Sequence, residues 1–300
     1  MHSSVRADAR GHIVELSHAS ARRRHRDLYS SRAPHSEILG VAIWLTEEQA
    51  LLDAIGDAVL TRRSTVFTGL YAAMFRQMDR DPDLRRYVAS SVTYPDGYGV
   101  VRELGLRGFA GVPRLATTDV VHPIARLAAD KRWRVGLYGG AAGVAERAAV
   151  ALRESAPGLE VVAVWDGFTA EPSVAELRAA NLDVVFVGLG APRQDQWAHD
   201  TAVSAGIPAV LTCGGLFDFL CGDRRRAPKW MQRCGLEWSF RLALEPRRLA
   251  RRYLDGNLYF VRRCRGERTA TTRRDVAGWP EPAQRGRMAF EPRTAETQAN

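Results

Sequence analysis

The sharpest change of pattern along the chain lies between residues 183 and 197, where an apolar run gives way to glycines, a proline and a Gln/Asp pair. Val184–Val187 are β-branched or aromatic without polar alternation, which is typical of a strand covered on both faces. Gly188 and Gly190 then let backbone amides approach a ligand, and the following helix would present Gln194 near its electropositive N-terminus. A tight strand-to-helix turn without a ligand is the alternative interpretation.

Four other segments repeat this design of a short apolar run, then small or polar residues, then a helical pattern. They are residues 66–69, 91–97, 135–140 and 210–215. In an open parallel sheet the carboxyl ends of the strands lie along one edge, and ligands bind in the crevice there. The pattern therefore predicts a doubly wound, mainly parallel α/β sheet with helices on both faces, a Rossmann-like fold. Its strand ends would share one site.

Helical spacing of apolar residues predicts the layers around this sheet. Thr46 opens a capping box with Gln49, and the helix after it would bury Leu51, Leu52, Ile55 and Val59. Further helices are predicted over 70–79, 98–105, 143–155, 173–180, 193–205 and several segments beyond 228.

Composition divides the chain into four parts. Residues 1–36 and 266–300 lack apolar periodicity and are rich in charged and small residues, which predicts disordered ends, the first of them basic. Residues 37–222 carry the α/β pattern of the core. Residues 223–265 are basic and rich in aromatic side chains, and they predict a helical appendage.

Overall composition narrows the class of protein. The 300 residues, 46% apolar, suffice for one large domain with an appendage. No apolar run reaches the roughly 18 residues of a membrane span, and no apolar signal-peptide region follows the N-terminus, so a cytoplasmic location is expected. The four cysteines are too widely spaced for a metal clip, and we expect reduced thiols and no metal site. The net charge of +9 favours anionic partners, although no nucleic-acid-binding motif is present.

Two features of the middle strands suggest chemistry. The turn at Gly139 and Gly140 resembles a dinucleotide fingerprint, but Tyr138 stands where its first glycine should be. Asp166 lies at a suitable distance downstream to bind a ribose hydroxyl, so an NAD-dependent enzyme remains an alternative. Asp96, between a proline and a glycine at a strand end, could accept a hydroxyl proton during group transfer or simply cap the next helix.

Two further polar residues have competing interpretations. Asp218 could orient a sugar hydroxyl or hold a neighbouring arginine. Arg114, like Gln194, could contact a diphosphate or a sugar, and an exposed salt bridge is the alternative for Arg114.

Taken in order, six motifs resemble the WecG/TagA/CpsF family of bacterial glycosyltransferases. They are YPDGYG at 94–99, LYGGAAGVAE at 137–146, VGLGAPRQDQW at 187–197, GGLFDFLCG at 214–222, RAP at 226–228 and LEWSFRLALEPRR at 236–248. The resemblance runs from about residue 38 to about residue 260.

The resemblance implies an inverting, metal-independent transfer of a sugar from a UDP-sugar to a polyprenyl-diphosphate-linked glycan acceptor, at the inner face of the cytoplasmic membrane. The UDP-sugar is then a substrate, and no cofactor is expected. Asp96 falls on the position of the family's proposed base, and Thr68, Arg114 and Gln194 fall on its other site positions. The family's basic C-terminal segment closes over the substrates.

Combined, these patterns predict one catalytic residue, Asp96, and a larger set of substrate-binding residues. The set consists of Thr68, Arg114, Tyr138, Gly139, Gly140, Gly190, Gln194, Asp218, Arg226, Arg241, Arg248 and Arg251. Backbone amides of the turns at 139–143 and 188–194, together with these arginines, would meet the charge of the departing diphosphate. The basic and aromatic residues of the appendage also suit docking on an anionic membrane, with a solvated helix face as the alternative.

Departures from the family pattern concern the donor. Leu70 stands where many relatives have Asn, and Pro113-Arg114 with Thr117-Thr118-Asp119 replaces a common Glu-Arg and Gly-x-Asp. The donor sugar therefore stays open between N-acetylmannosamine, its uronic acid and glucose. The acceptor glycan and the oligomeric state, including a homo-oligomer, also stay open.

Overall fold

A computed structural model describes residues 5–7, 13–15, 34–169 and 171–270, without the side chains of residues 5–7, 13–15, 233, 248–254, 269 and 270. The strands in these ranges are β1 Val5–Ala7, β2 Ile13–Glu15, β3 His35–Ile38, β4 Val41–Trp44, β5 Thr65–Leu70, β6 Val92–Pro95, β7 Arg134–Gly139, β8 Glu160–Trp165, β9 Val184–Gly188 and β10 Ala209–Thr212.

The helices of the described chain surround these strands. They are α1 Glu48–Leu60, α2 Ala72–Arg80, α3 Pro82–Ala89, α4 Tyr98–Leu106, α5 Thr117–Asp130, α6 Val144–Ser155, α7 Val174–Ala180, α8 Arg193–Trp197, α9 Leu216–Leu220, α10 Lys229–Arg233, α11 Glu237–Leu244 and α12 Pro246–Ala270. After α8 the helix continues as a π-helical stretch, Ala198–Ala202, and a final turn, Val203–Ala205.

Six parallel strands form the central sheet, in the order β6-β5-β10-β9-β7-β8. The predicted parallel α/β fold is confirmed, and so are the five strands that the sequence pattern predicts. Their ends lie level, because Thr68 pairs with Thr212, Thr212 with Val187 and Val187 with Tyr138 in the parallel ladders. The loops that follow these strands therefore start along one edge of the sheet. The remaining strand, β8, lies at the end of the sheet and is not among the predicted ones.

Both faces of the sheet are covered, as its continuous apolar strands require. Phe67, Leu137 and Phe186 belong to the core beneath α1, α5 and α6, whereas Val66, Val185 and Val210 belong to a core completed by α7 and the helix that begins at α8. The alternation along each strand thus divides its side chains between two cores.

The start of α1 differs from the prediction. Glu47 is its N-cap, and no side chain there bonds to a free amide of the first turn. Thr46 instead places its hydroxyl 3.3 Å from the carbonyl oxygen of Glu47. The predicted capping box is therefore wrong, while Leu51, Ile55 and Val59 are buried as expected.

The two ends of the chain also differ from the predicted division. Within the segment 1–36, β1 pairs antiparallel with β2, and β3 begins at His35 and forms a hairpin with β4. The other residues up to 33, and residues 271–300, lie outside the described chain. The last helix runs five residues past the predicted end of the appendage at 265.

The last helix is part of the core rather than a peripheral addition. Phe260 and Cys264 are buried among side chains of α2, α3 and α4, and the ring of Phe260 lies 4.9 Å from that of Phe75. Gly256 packs so closely on α2 that an added Cβ would lie 2.7 Å from the Cβ of Ala73. Among the helices described, none is both long enough and apolar enough to cross a membrane.

Candidate active site

A cleft of about 1480 Å³ opens at the carboxyl edge of the sheet. One wall consists of the loops after β5, β6, β7, β8, β9 and β10 with neighbouring residues of α2, α4 and the segment 114–118, and the other consists of residues from the end of α9 to α12. We call these the sheet wall and the helical wall. Residues far apart in the sequence meet there, since Asp96, Gly140 and Gln194 all line this one cleft.

The predicted site residues divide into three groups. Those that line the cleft are Asp96, Arg114, Gly140, Gly190, Gln194, Asp218 and Arg241. Those placed beside or beneath it, outside its lining, are Thr68, Tyr138, Gly139 and Arg226. The side chains of Arg248 and Arg251 lie outside the described part of the chain, although their backbone belongs to α12.

Two of these residues have structural partners below the cleft. Thr68 is 1% exposed and its hydroxyl lies 3.2 Å from that of Thr212, on the neighbouring strand. Tyr138 is 2% exposed, and its ring packs 4.7 Å from the ring of Trp197. Thr68 thus links two strands of the sheet, and Tyr138 packs the sheet against α8; neither residue lines the cleft.

The glycines of the sheet wall are explained first by close packing of the backbone. Gly139 has a φ of +137°, and an added Cβ there would lie 2.5 Å from the carbonyl carbon and oxygen of Gly188. The amide of Gly140 donates to the same carbonyl at 3.3 Å, and the amide of Gly167 donates to Gly140 at 2.8 Å. Three loops are held together by contacts that only glycine permits.

Gln194 fixes two of these loops to one another. Its Oε1 accepts hydrogen bonds from the amide of Gly190 at 3.1 Å and from that of Gly214 at 2.9 Å. The side chain is nearly buried, with 6% exposure of the residue. Because the amides of Gly140 and Gly190 already have acceptors, the expectation that the turns at 139–143 and 188–194 offer free amides to a diphosphate does not hold for these two positions.

Asp96 follows β6 directly and reaches across to the start of α5. Its Oδ1 accepts from the amide of Thr117 at 3.3 Å, and its Oδ2 accepts from the hydroxyl of Thr117 at 3.1 Å. The buried Tyr94 hydroxyl lies 3.3 Å from the same threonine oxygen. Asp96 thus satisfies the first amide of α5. It does not cap the next helix along the chain, α4, whose N-cap is Gly97 and which has no side-chain cap.

Burial raises the pKa of the Asp96 carboxyl above its usual range. Three neighbours oppose this shift: the positive charge of Arg114, the hydrogen bonds from Thr117 and the positive charge of Arg241. Burial has the larger effect, so Asp96 is a stronger base than an exposed aspartate. A base of this kind is suited to taking a proton from a hydroxyl group near neutral pH.

The helical wall carries a cluster of ion pairs around Glu237. Its Oε2 lies 2.8 Å from Arg114, and its Oε1 lies 3.5 Å from Arg241 and 3.8 Å from Arg226. Arg226 also pairs with Asp119 at 2.5 Å. Arg226, although outside the lining of the cleft, thereby contacts the residues that form it.

Asp218 and Asp166 are engaged by neighbours. Asp218 pairs with Arg224 at 3.2 Å, which agrees with the interpretation that it holds an adjacent arginine. Asp166 accepts hydrogen bonds from the amides of Phe168 and Thr169 and from the Thr169 hydroxyl, all at 2.7 to 2.8 Å. These local bonds occupy the carboxylate that a dinucleotide-binding site would direct to a ribose. Among the described residues, no group of three or more His, Cys, Asp or Glu side chains could hold a metal ion.

Three residues of this site escape the sequence-based prediction. Gly69 is required because a Cβ there would lie 2.8 Å from the Cβ of Asp96. Thr117 orients Asp96 from another helix, and Glu237 gathers arginines from three segments. A glycine inside the apolar strand β5 is a signal of close approach that could have identified Gly69. Thr117 has no local signal, because its partner Asp96 is 21 residues away. For Glu237 the sequence shows only the helical pair with Arg241, since Arg226 and Arg114 come from other segments.

Comparison with known proteins assigns the family. The model of the family described as "Glycosyl transferase WecG/TagA/CpsF family" matches residues 36–274, which include the whole central sheet, the cleft and the last helix. The chain belongs to the WecG/TagA/CpsF family of glycosyl transferases. The resemblance of the six motifs is thereby confirmed.

Two relatives of this WecG/TagA/CpsF family chain carry the same name, N-acetylglucosaminyldiphosphoundecaprenol N-acetyl-beta-D-mannosaminyltransferase. The protein of Bacillus subtilis is 33% identical over 171 residues, which cover 54% of this chain and 64% of the relative. That of Bacillus spizizenii is 34% identical over 159 residues, which cover 52% of this chain and 62% of the relative. The chain thus spans less than two thirds of the length of these relatives.

Proposed function

We propose that this protein transfers a sugar from a UDP-sugar to a polyprenyl-diphosphate-linked glycan, with inversion at the anomeric carbon and without a metal ion. The observation that carries the proposal is Asp96, a carboxylate of raised pKa in a cleft whose lining also includes Arg114 and Arg241. A base and nearby cations are the two groups that a single displacement at a nucleotide-sugar requires.

The reaction proceeds in one step. The acceptor hydroxyl attacks the anomeric carbon, its proton passes to Asp96, and the bond from the anomeric carbon to the diphosphate oxygen breaks. UDP leaves with the negative charge that develops on its phosphate. Arg114 and Arg241 are the cations placed to stabilise that charge, since both act electrostatically on Asp96 within the cleft. Attack from the face opposite the leaving group inverts the configuration.

The name of the two relatives supports the choice of acceptor and one choice of donor. That name describes transfer of N-acetylmannosamine to N-acetylglucosaminyldiphosphoundecaprenol. Leu70, which suggested a different sugar, is fully buried among apolar side chains of α2, α3 and α4 and does not line the cleft. Its replacement of Asn is therefore no argument against N-acetylmannosamine, and we take that sugar as the first donor to test.

A lipid-linked acceptor requires an apolar approach to the cleft. Large apolar side chains on its lining are exposed: Tyr98 by 43%, Leu106 by 54%, Trp238 by 41%, Leu244 by 53% and Val261 by 41%. Arg102 and Arg265 line the same cleft. Apolar and cationic groups together favour contact with an anionic membrane surface. We therefore place the working protein at the inner face of the cytoplasmic membrane, where it would receive the acceptor without crossing the bilayer.

The test combines product analysis with a substitution. Purified protein is incubated with a panel of UDP-sugars and a polyprenyl-diphosphate-linked N-acetylglucosamine, and UDP release and product mass are measured. Asp96→Asn should reduce kcat by about 10²- to 10⁴-fold, the usual contribution of a general base, with little change in UDP affinity. An Asp96→Asn protein with full activity would exclude this mechanism. Stabilisation against heat by NAD but not by UDP would favour a nicotinamide-dependent enzyme instead.

Thr117→Val provides a matched and milder substitution. It keeps the size of the side chain but removes the hydroxyl that bonds to Asp96 Oδ2. Because that bond lowers the pKa of Asp96, its loss should raise this pKa further and move the acid limb of kcat/KM to higher pH. The base is active only when ionised, so activity at pH 6 should fall more than activity at pH 9. An unshifted pH profile would mean that Asp96 is not the base.

A further inference from the structure

The Glu237 cluster contains buried polar atoms that are incompletely paired. Oε1 of Glu237 and the Nε atoms of Arg226 and Arg241 are buried, and none of them has a hydrogen-bond partner among the residues that the structure describes. The contacts of Glu237 Oε1 to these two arginines, at 3.8 and 3.5 Å, are ion pairs without a hydrogen bond. Buried donors and acceptors without hydrogen bonds are rare in folded proteins, and they are costly. The arrangement is therefore electrostatically favourable but poorly satisfied.

The cluster joins segments that are otherwise separate. Arg114 comes from the loop before α5, Arg226 from the loop before α10, and Arg241 from α11. A single carboxylate on the first turn of α11, 11% exposed, is in contact with all three. Arg114, Glu237 and Arg241 also line the cleft in which Asp96 lies. The carboxylate thus occupies the centre of the cations that the proposed reaction needs for its leaving group.

We propose that Glu237 is a counter-anion that takes the place of a diphosphate in the empty cleft and releases Arg114 and Arg241 to the diphosphate when it binds. Phosphate oxygens offer more acceptors than one carboxylate and can satisfy the Nε atom of Arg241, which lines the cleft and lacks a hydrogen bond among the described residues. Glu237 is then a positioning residue. It keeps the arginines gathered while the cleft is empty, and it competes with the product UDP and so promotes its release. The inference rests on the proposed function for the identity of the nucleotide.

Removing the negative charge of Glu237, which competes with the diphosphate for the arginines, should strengthen diphosphate binding. Glu237→Gln keeps the shape of the side chain but removes one negative charge from among three arginines. The dissociation constants of UDP and of inorganic pyrophosphate, measured by titration calorimetry on the full chain, should each fall on the order of tenfold, which corresponds to about 1.4 kcal/mol. In the transfer assay, the KM for the donor and kcat should both fall, because binding is tighter and UDP leaves more slowly.

The control is Asp255→Asn, which also removes one negative charge, but from α12 outside the Glu237 cluster. Asp255 pairs with Arg76 and Arg80 and does not line the cleft. Its substitution should leave both dissociation constants unchanged at the same ionic strength. Glu237→Asp, which keeps the charge but withdraws it by one methylene group, should give a smaller gain in affinity and serves if the Gln variant does not fold.

The outcomes separate this inference from the proposed function. Weaker or unchanged binding of pyrophosphate to both Glu237 variants would overturn the inference, because it would mean that the carboxylate merely supports the arginines. Absence of pyrophosphate binding to every form would overturn it as well. A gain for pyrophosphate without any binding of UDP to the natural chain would support the exchange and contradict the choice of nucleotide.

Discussion

The two walls of the cleft are held together by different forces. The sheet wall consists of backbone contacts, with Gly139 against Gly188 and two loop amides bonded to Gln194. The helical wall carries a charged cluster, in which Glu237 contacts Arg226, Arg241 and, from the loop before α5, Arg114. The first is determined by strand register and by close packing. The second depends on Coulomb interactions that water, salt and ligands can modify.

This difference suggests that the two walls have different roles. A wall made of packed backbone has one arrangement and holds Asp96 at the same place with or without substrate. In the helical wall the ions around Glu237 are incompletely paired, so an anionic ligand can offer them better partners and reorganise them. The sheet wall would therefore place the base, and the helical wall would respond to the arrival and departure of the diphosphate.

The largest effect should come from disturbing the sheet wall at Gly139. In Gly139→Ala the added Cβ would meet the carbonyl group of Gly188 at 2.5 Å, at a φ of +137° that L-residues rarely adopt. The ends of β7 and β9 must separate, and we expect a loss of roughly 3–5 kcal/mol in the free energy of unfolding. Urea denaturation followed by circular dichroism measures this loss. The loss in the free energy of unfolding should not depend on the salt concentration, since the substitution involves no charge.

Gly158→Ala distinguishes the two causes of that loss. Gly158 also has a left-handed φ, of +88°, but an added Cβ there meets no atom within 4 Å. Its substitution should cost only about 1 kcal/mol, the strain of the backbone conformation alone. Equal losses for both variants would show that the contact between the ends of β7 and β9 is not tight.

The sequence predicts the sheet wall better than the helical wall. Five strands buried on both faces have continuous apolar runs that end in glycine or polar residues, and each of them is found. The strand β8 escapes prediction because it lies at the edge of the sheet with only one fully buried position. The helix α5 is also absent from the predicted helices. It contains Pro123, which removes a helical hydrogen bond, although its other residues pack as a regular helix.

Side-chain direction limits the prediction of the site. Strand ends can be found from the pattern, but a period of two does not say which of two neighbouring residues faces the cleft. Thr68 and Tyr138 therefore look like site residues in the sequence, yet they have buried partners in Thr212 and Trp197. The role of Glu237 depends on three segments brought together by the fold, and no local pattern in the sequence encodes that meeting.

One charged residue, on the sheet side, is an exception to this contrast between backbone contacts and ion pairs. Asp195 follows Gln194 on the sheet side, is 1% exposed, and neither of its carboxylate oxygens has a hydrogen-bond partner among the described residues. Burial raises the pKa of Asp195 to about 7. Whereas Glu237 is surrounded by cations, Asp195 has no ion pair within the described part of the chain that would offset the cost of its charge.

Asp195→Asn should therefore stabilise the protein, with an effect that depends on pH. Because the pKa of Asp195 is higher in the folded than in the unfolded chain, the natural protein is most stable with this group protonated, and it loses stability as pH rises towards 7. The Asn variant escapes that loss. The gain in the free energy of unfolding should be small at pH 4 and reach roughly 2–4 kcal/mol above pH 7, measured by urea denaturation across this range.

Glu237→Gln should instead lower the free energy of unfolding at neutral pH, since it leaves three arginines facing one another without their shared anion. A gain for both variants, or a gain for Asp195→Asn that does not change with pH, would mean that the two carboxylates do not differ in the way their surroundings indicate.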